Sequence, residues 1–208
     1  DLLATAERTE DQLTQLVARI RGQGEVVAGE LTVTTVAGLA VLLIPVFQRY
    51  GAAYPDVTIR HISDMRLLRL DHGEAHVAIR AGAKPEDADY VVQPLITLDW
   101  VLCAAPSYVA EHGLPSTLHD LAGHRFVGPI DPDSRAPFNR WLATHVPSQS
   151  VHFRTGEPAA SAEAIRAGLG LGFMARREAQ AAGMVEVLEQ DPDWASPLWI
   201  VTHVDLHR

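Results

Sequence analysis

The stretch from Leu31 to Ile79 constrains the fold of this chain more than any other part of the sequence. A β-branched run over 31–35 predicts a strand, and the apolar residues from Leu39 to Tyr50 recur at the spacing of one helix face. The alternating residues 57–62 predict a second strand, 63–70 a short helix, and 77–79 a third strand. Strands that alternate with helices in this way predict an α/β fold with a parallel sheet.

Parallel sheets bind ligands beyond the carboxyl ends of their strands, and the turn after the first strand lies at such an end. Its residues are small or carry hydroxyl groups, and the amides of the following helix start attract anions. The alternative is that the two threonines are ordinary strand and capping residues. We favour a ligand site because further small residues occupy equivalent strand ends and would face one cleft. The predicted site residues are Thr34, Thr35, Val36, Ala37, Gly38, Ser63, Gly128, Pro129 and Ile130.

The rest of the chain predicts a second α/β unit and a final strand at 198–201 that has no partner of its own. The economical arrangement returns this strand to the first unit, so the chain crosses twice between two Rossmann-like lobes. We therefore predict a helix at 1–24, a first lobe of 25–97 plus 190–208, and a second lobe of 98–189. Two lobes with two crossovers form a cleft that can close by hinging.

The helix predicted at the start of the chain carries apolar or small residues at alternating steps of three and four, including Leu13, Leu16 and Ile20. This is the pattern of a coiled-coil seam, which would place these side chains in a dimer interface. An amphipathic helix packed on its own domain fits equally well, and the sequence leaves both open. The chain begins with Asp1 inside this pattern, which we interpret as a fragment of a longer protein.

Composition and charge exclude several classes of function. The net charge of −9 disfavours a surface that tracks phosphates, so these residues are not expected to grip nucleic acid themselves. The chain has a single cysteine, Cys103, which excludes an internal disulfide. We interpret it as a small core residue. No apolar run approaches the ~18 residues of a membrane span and no signal peptide is present, so we expect no membrane partner and a cytoplasmic location.

No motif predicts catalysis, a metal or a cofactor. The glycine-rich run 168–172 follows a helix and opens a strand, the reverse of a dinucleotide loop, so we interpret it as a helix stop with close backbone packing. His72 and His76 are separated by Gly73, and His119 and His124 have no carboxylate at a metal-ligand spacing. We therefore predict no catalytic residues, no metal site and no cofactor.

Several segments in this order resemble the effector-binding region of LysR-type transcriptional regulators. They are the heptad helix, GELTVTTVAGLAVLLIPVFQRYGAAYPDVTIRHI, HGEAHVAIRAG, LCAAPSYVAEHGLPSTLHDLAGHRFV, AIRAGLGLGFMA and PLWIVTH. The resemblance implies a periplasmic-binding-protein-like (type 2) pair of lobes with a small effector in the cleft. It also implies a linker helix, dimers or tetramers, and promoter binding through an N-terminal winged helix-turn-helix outside this chain.

The resemblance places the family's ligand-contacting turns at the nine site residues above. Gly38 stands where many relatives have Ser or Thr, which leaves Thr35 as the expected donor, and His76 stands where the family usually has Asp. We expect a regulatory domain that binds a small anionic molecule and is not an enzyme. A solute-binding receptor of a transporter, or an enzyme with its active site in the cleft, are the alternatives.

Overall fold

The structure is a computed structural model that describes residues 27–63 and 68–207, with no side-chain description at 207. The helix predicted at 1–24, with Leu13, Leu16 and Ile20, lies outside the described residues, as does half of the short helix predicted at 63–70; of the other half, Ser63 ends a strand and 68–70 are not helical. The strands are β1 (Gly29–Thr35), β2 (Val57–Ser63), β3 (Val77–Ala81), β4 (Tyr90–Leu98), β5 (Trp100–Ala104), β6 (Phe126–Pro129), β7 (Val151–Thr155), β8 (Gly172–Ala175), β9 (Val185–Glu186) and β10 (Ser196–His203). The α-helices are α1 (Ala40–Ala53), α2 (Pro106–His112), α3 (Pro137–His145), α4 (Pro158–Arg166) and α5 (Arg176–Ala181).

The chain divides into two compact units. Unit 1 is the chain up to Ile96 together with the chain from Pro197 onward, and unit 2 is Thr97–Ser196. Unit 1 is built on a five-stranded sheet of order β2-β1-β3-β10-β4. In this sheet β1 runs parallel to both β2 and β3, whereas β10 runs antiparallel to β3. The last strand therefore joins the first sheet, as the sequence pattern indicated.

The centre of unit 1 is β1, in which every residue from Leu31 to Thr35 is buried. The helix α1 buries Leu43, Val46, Phe47 and Tyr50, which all belong to the apolar face predicted from the sequence. A central parallel strand is covered on both faces, which is why its sequence is a continuous run of buried residues and does not alternate.

Unit 2 contains a three-stranded sheet of order β8-β5-β9 and a parallel pair of β6 and β7. The strand β5 runs antiparallel to both of its neighbours, so this sheet differs from the parallel arrangement of β1 with β2 and β3 in unit 1. The strand β9 is short and ends at Glu186, and Leu188 after it adopts a left-handed φ of 65° that cannot continue a strand.

A cluster of aromatic rings fills part of the core of unit 2. Phe173 lies in its middle, with ring centroids 5.5 Å from Phe138, 5.7 Å from Trp141 and 4.9 Å from Trp194. Trp100 extends the cluster by stacking on Phe138 at 4.0 Å. Tilted and edge-on pairs of this kind add to the free energy of burial, so the cluster fixes α3 against β8.

The glycine-rich run 168–172 has the structural role that its order along the chain indicated. Gly168 follows α4 with a φ of 78°, a conformation that suits glycine at a helix end. A Cβ on Gly170 would lie 2.5 Å from the carbonyl oxygen of Arg125, and one on Gly172 would lie 2.6 Å from Cδ1 of Ile165. The run lets the backbone pass close to its neighbours, and the interpretation as helix stop and close packing is confirmed.

Replacement of Gly170 by alanine tests this packing. The new methyl group would meet a backbone atom that cannot rotate away, so we expect Gly170→Ala to lower the free energy of unfolding by at least about 1–3 kcal/mol in urea titrations. Gly51→Ala is the matched control, because no atom lies within 4 Å of that added Cβ, and it should gain up to about 1 kcal/mol from helix propensity. Equal stability of Gly170→Ala and the parent chain would contradict the packing role.

Candidate functional site

The carboxyl ends of β1 and β2 bring two of the predicted site residues side by side. Thr35 pairs in register with Ser63, and both are the last residues of their strands. Neighbouring strands lie ~4.8 Å apart, so these two side chains occupy the same face and the same edge of the sheet. Ser63 is exposed, whereas Thr35 is only 1% exposed.

The hydroxyl of Thr35 is already engaged by a histidine that the sequence analysis did not single out. Oγ1 of Thr35 and Nε2 of His61 are 3.0 Å apart, and the His61 ring packs 5.5 Å from the ring of Phe47 on α1. Partial burial lowers the pKa of His61 from 6.5, which favours the neutral ring. The tautomer of that ring decides whether Thr35 donates or accepts in this pair.

Thr34 differs from Thr35 because its hydroxyl finds no hydrogen-bond partner within residues 27–63 and 68–207. Its side chain is 0% exposed, and Oγ1 is unpaired among the described residues. Ile62 and Ala78 flank it in register on the adjacent strands, so the hydroxyl lies in an apolar row. A buried unpaired hydroxyl costs free energy, and such exceptions are often found where a ligand or water supplies the missing partner.

The turn after Thr35 and the start of α1 provide backbone donors at this end of β1. Val36 and Ala37 are half-buried and Gly38 is exposed, with a φ of 90° that only glycine adopts readily. Leu39 occupies the N-cap position and makes no side-chain cap hydrogen bond. The first-turn amides of a helix have no intrahelical acceptor and carry the positive end of the helix dipole, so this turn is suited to an anion.

A half-buried positive charge lies near the same strand ends. Arg80 follows Ile79, the register partner of Thr35, and its Nη2 donates to the carbonyl of Leu68 at 2.9 Å. Within residues 27–63 and 68–207 Arg80 has no carboxylate partner, and burial lowers its pKa. His76 anchors the preceding segment, because its Nδ1 accepts a hydrogen bond from the backbone N–H of Thr32 at 2.9 Å.

The second predicted turn, Gly128–Ile130, lies in unit 2 at the end of β6. Gly128 is buried, and a Cβ there would lie 2.9 Å from Val151 and 3.0 Å from Leu142, so core packing alone requires a glycine. Pro129 is half-buried and ends the strand. Ile130 is 65% exposed and its backbone N–H donates to the carbonyl of Thr155 at 3.0 Å. A contact between this turn and a ligand stays a prediction.

Other chemistries find little support in the described structure. Cys103 is 0% exposed and its surroundings raise the pKa of the thiol to about 12, chiefly through burial, so it is not a ready nucleophile. Within residues 27–63 and 68–207, no group of three or more His, Cys, Asp and Glu side chains could hold a metal ion. None of the helices in that part of the chain is long and apolar enough to span a membrane.

Comparison with known proteins defines the class to which this fold and site belong. Residues 24–208 match the LysR substrate binding domain, and the chain belongs to this family. The regulatory domain of CrgA from Neisseria meningitidis superimposes with a TM-score of 0.72 at 22% identity, covering 86% of this chain and 91% of that one. The chain therefore has the two-lobe α/β fold of type 2 periplasmic-binding proteins that LysR regulatory domains share.

Two curated relatives are transcriptional regulators of the helix-turn-helix type. CrgA of Neisseria meningitidis serogroup B is 24% identical over 162 residues, which cover 77% of this chain and 53% of CrgA. A probable regulator of Klebsiella pneumoniae, LtrA, is 28% identical over 196 residues, which cover 88% of this chain and 62% of LtrA. The chain thus spans between half and two thirds of the length of these two relatives.

Two residues at the site were missed by the sequence analysis, although both leave a signal. His61 follows Val57 and Ile59 on one face of an alternating strand, so its position predicted an inward-facing side chain. Arg80 is a charged residue at the end of the apolar run 77–79. Neither signal predicts what the side chain contacts, because His61 meets Thr35 and Arg80 meets Leu68, which are distant in sequence.

The neutral state of His61 makes stability depend on pH. Because its folded pKa lies below the unfolded value of 6.5, its contribution is complete above pH 6.5 and is lost as the pH falls through the folded pKa. We expect His61→Gln to flatten the decrease in unfolding free energy as the pH falls below 6.5. The exposed His119→Gln is the control, and a parent-like pH profile for His61→Gln would contradict the assignment.

Proposed function

We propose that this chain is the effector-sensing domain of a LysR-type transcriptional regulator and that it binds a small organic anion in the cleft between its lobes. The observation that carries the proposal is the uncapped start of α1 at the end of β1, where Thr35 and Ser63 lie side by side. On the other face of this strand end, the buried hydroxyl of Thr34 has no partner among the described residues. The half-buried Arg80 supports an anion over a neutral ligand. Under this proposal Thr34–Gly38, Ser63 and Gly128–Ile130 contact the effector.

The remaining parts of the proposal concern the longer protein. The two curated relatives are helix-turn-helix regulators and extend well beyond the matched region, which supports promoter binding by a separate N-terminal domain. A cytoplasmic dimer or tetramer would relay effector binding to that domain. The relay requires the effector to bind one conformation of the protein more tightly than the other. An effector with equal affinity for both conformations would not change their populations.

A solute receptor or an enzyme on the same fold are the competing functions. Both curated relatives are named as transcriptional regulators, which favours the regulator. The fold alone does not decide, because one scaffold carries many activities. The reading frame upstream of Asp1 separates the first two, since a basic helix-turn-helix supports the regulator and a signal peptide supports the receptor.

A thermal-shift screen of carboxylic acids and amino-acid metabolites tests effector binding. Ligand at 100 times its Kd stabilises by ~2.7 kcal/mol, which raises the midpoint of a domain of this size by roughly 5–11 °C. Thr34→Val removes an unpaired hydroxyl, so we expect the free protein to be as stable as the parent or more stable, while the shift with ligand shrinks.

Thr35→Val and Thr58→Val complete this experiment. Thr35→Val leaves His61 without its partner, so it should lower both the stability of the free protein and the ligand-induced shift. Thr58→Val, on an exposed strand position, is the matched control and should retain the full shift. An undiminished shift in Thr34→Val would remove that hydroxyl from the site, and no shift with any organic anion would contradict the proposed ligand class.

Self-association through the N-terminal helix is tested by sedimentation. Leu13→Asp combined with Leu16→Asp places charges in the predicted seam, so we expect a smaller assembly than that of the parent chain. Gln12→Asp combined with Gln15→Asp adds the same charge outside the seam and should sediment like the parent. An unchanged assembly in the leucine variant would mean that the helix packs on its own domain.

A further inference from the structure

A groove in unit 2 is separate from the residues assigned to the effector. It opens between α3 and two short 3-10 helices, Leu118–Gly123 and Pro192–Trp194, and its volume is about 630 Å³. Sites for small molecules typically have volumes of ~300–1,000 Å³. The groove is lined by Leu118, Pro137, Arg140, Trp141, His145, Asp191, Asp193 and Trp194.

The apolar part of the lining is aromatic. Trp141 and Trp194 meet edge to face with ring centroids 5.1 Å apart. Trp194 is 2% exposed and its Nε1 has no hydrogen-bond partner among the described residues. Trp141 is half-buried, contacts Phe173 edge-on in the core and stacks on the exposed His145 at 4.5 Å. Trp194 supports Trp141 from the core, and the aromatic surface open to an apolar group is that of Trp141 and His145.

The polar part of the lining contains one arginine and two aspartates that form no ion pair with each other among the described residues. Arg140 is exposed, and in the described part of the chain its guanidinium forms no ion pair with Asp191 or Asp193. Oδ1 of Asp191 accepts a hydrogen bond from the backbone N–H of Asp193 at 2.9 Å, which fixes the turn that holds both carboxylates. A guanidinium suits a carboxylate, and two carboxylates suit an ammonium group.

We propose that this groove is a second small-molecule site, which binds a free α-amino acid with an aromatic or large apolar side chain. Arg140 pairs with the carboxylate of the amino acid, Asp191 and Asp193 pair with its ammonium group, and the side chain lies on Trp141. The site belongs entirely to unit 2 and is independent of the proposed effector site.

L-Phenylalanine is the probe, because it carries both charges and does not absorb where tryptophan is excited selectively. We expect saturable binding to the full 208-residue chain, with one site per chain by calorimetry and a change in tryptophan emission. Half-saturation should fall in roughly the millimolar range for a ligand of this size. 3-Phenylpropanoate lacks the ammonium group and 2-phenylethylamine lacks the carboxylate, so each should bind about ten-fold more weakly at this site.

The sequence offers a matched control for each charged residue. Asp131 and Asp133 form the same Asp-Pro-Asp turn as the groove, with Asp133 N–H donating to Asp131 at 2.9 Å, but they do not line it. Asp193→Asn and Arg140→Gln should each weaken phenylalanine binding about ten-fold. Asp133→Asn and the exposed Arg135→Gln should bind phenylalanine like the parent.

Three results would overturn the proposal. The first is no saturable signal from phenylalanine up to on the order of 20 mM, well above a millimolar Kd. The second is parent-like affinity in both Asp193→Asn and Arg140→Gln, which would place the ligand elsewhere. The third is equal weakening in the control variants. The absence of a phenylalanine signal leaves the effector proposal standing, because that proposal is tested separately with organic anions in Thr34→Val.

Discussion

The structure of unit 1 depends on the parallel pairing of β1 with β2 and β3. This pairing aligns the carboxyl ends of three strands and covers β1 so completely that Leu31 to Thr35 are all buried. Side-chain burial fixes the register, because a shift by one residue would exchange the two faces of the strand. Thr35, Ser63 and the start of α1 are held at one edge of the sheet as a consequence.

Burial at this edge leaves one hydroxyl without a partner among the described residues, which costs free energy. The hydroxyl of Thr34 lies unpaired in an apolar row, while that of Thr35, the next residue, is satisfied by His61. At this strand end the paired hydroxyl of Thr35 stabilises the free protein, whereas the unpaired hydroxyl of Thr34 destabilises it. A ligand that supplies a partner to Thr34 recovers part of that cost, which is the differential free energy that a sensing domain needs.

The sequence predicts the elements of this fold better than their pairing. The helix face from Leu43 to Tyr50, the strand at 31–35 and the packing role of the glycine run 168–172 follow from local periodicity and order, and the structure confirms them. The antiparallel pairing of β5 does not follow, because strand direction depends on how distant segments meet. The partner of Thr35 could not be read from the sequence either, since His61 lies 26 residues away.

Backbone NMR of the chain with a saturating organic acid, chosen by the thermal-shift screen, tests the central claim most directly. If the ligand lies at the strand ends, the largest amide shift changes should fall on residues 34–38 and 63, with a second group at 128–130. Changes confined to α3 and the turn at 191–194, with none at the end of β1, would contradict the account and place the sensing site in the groove of unit 2.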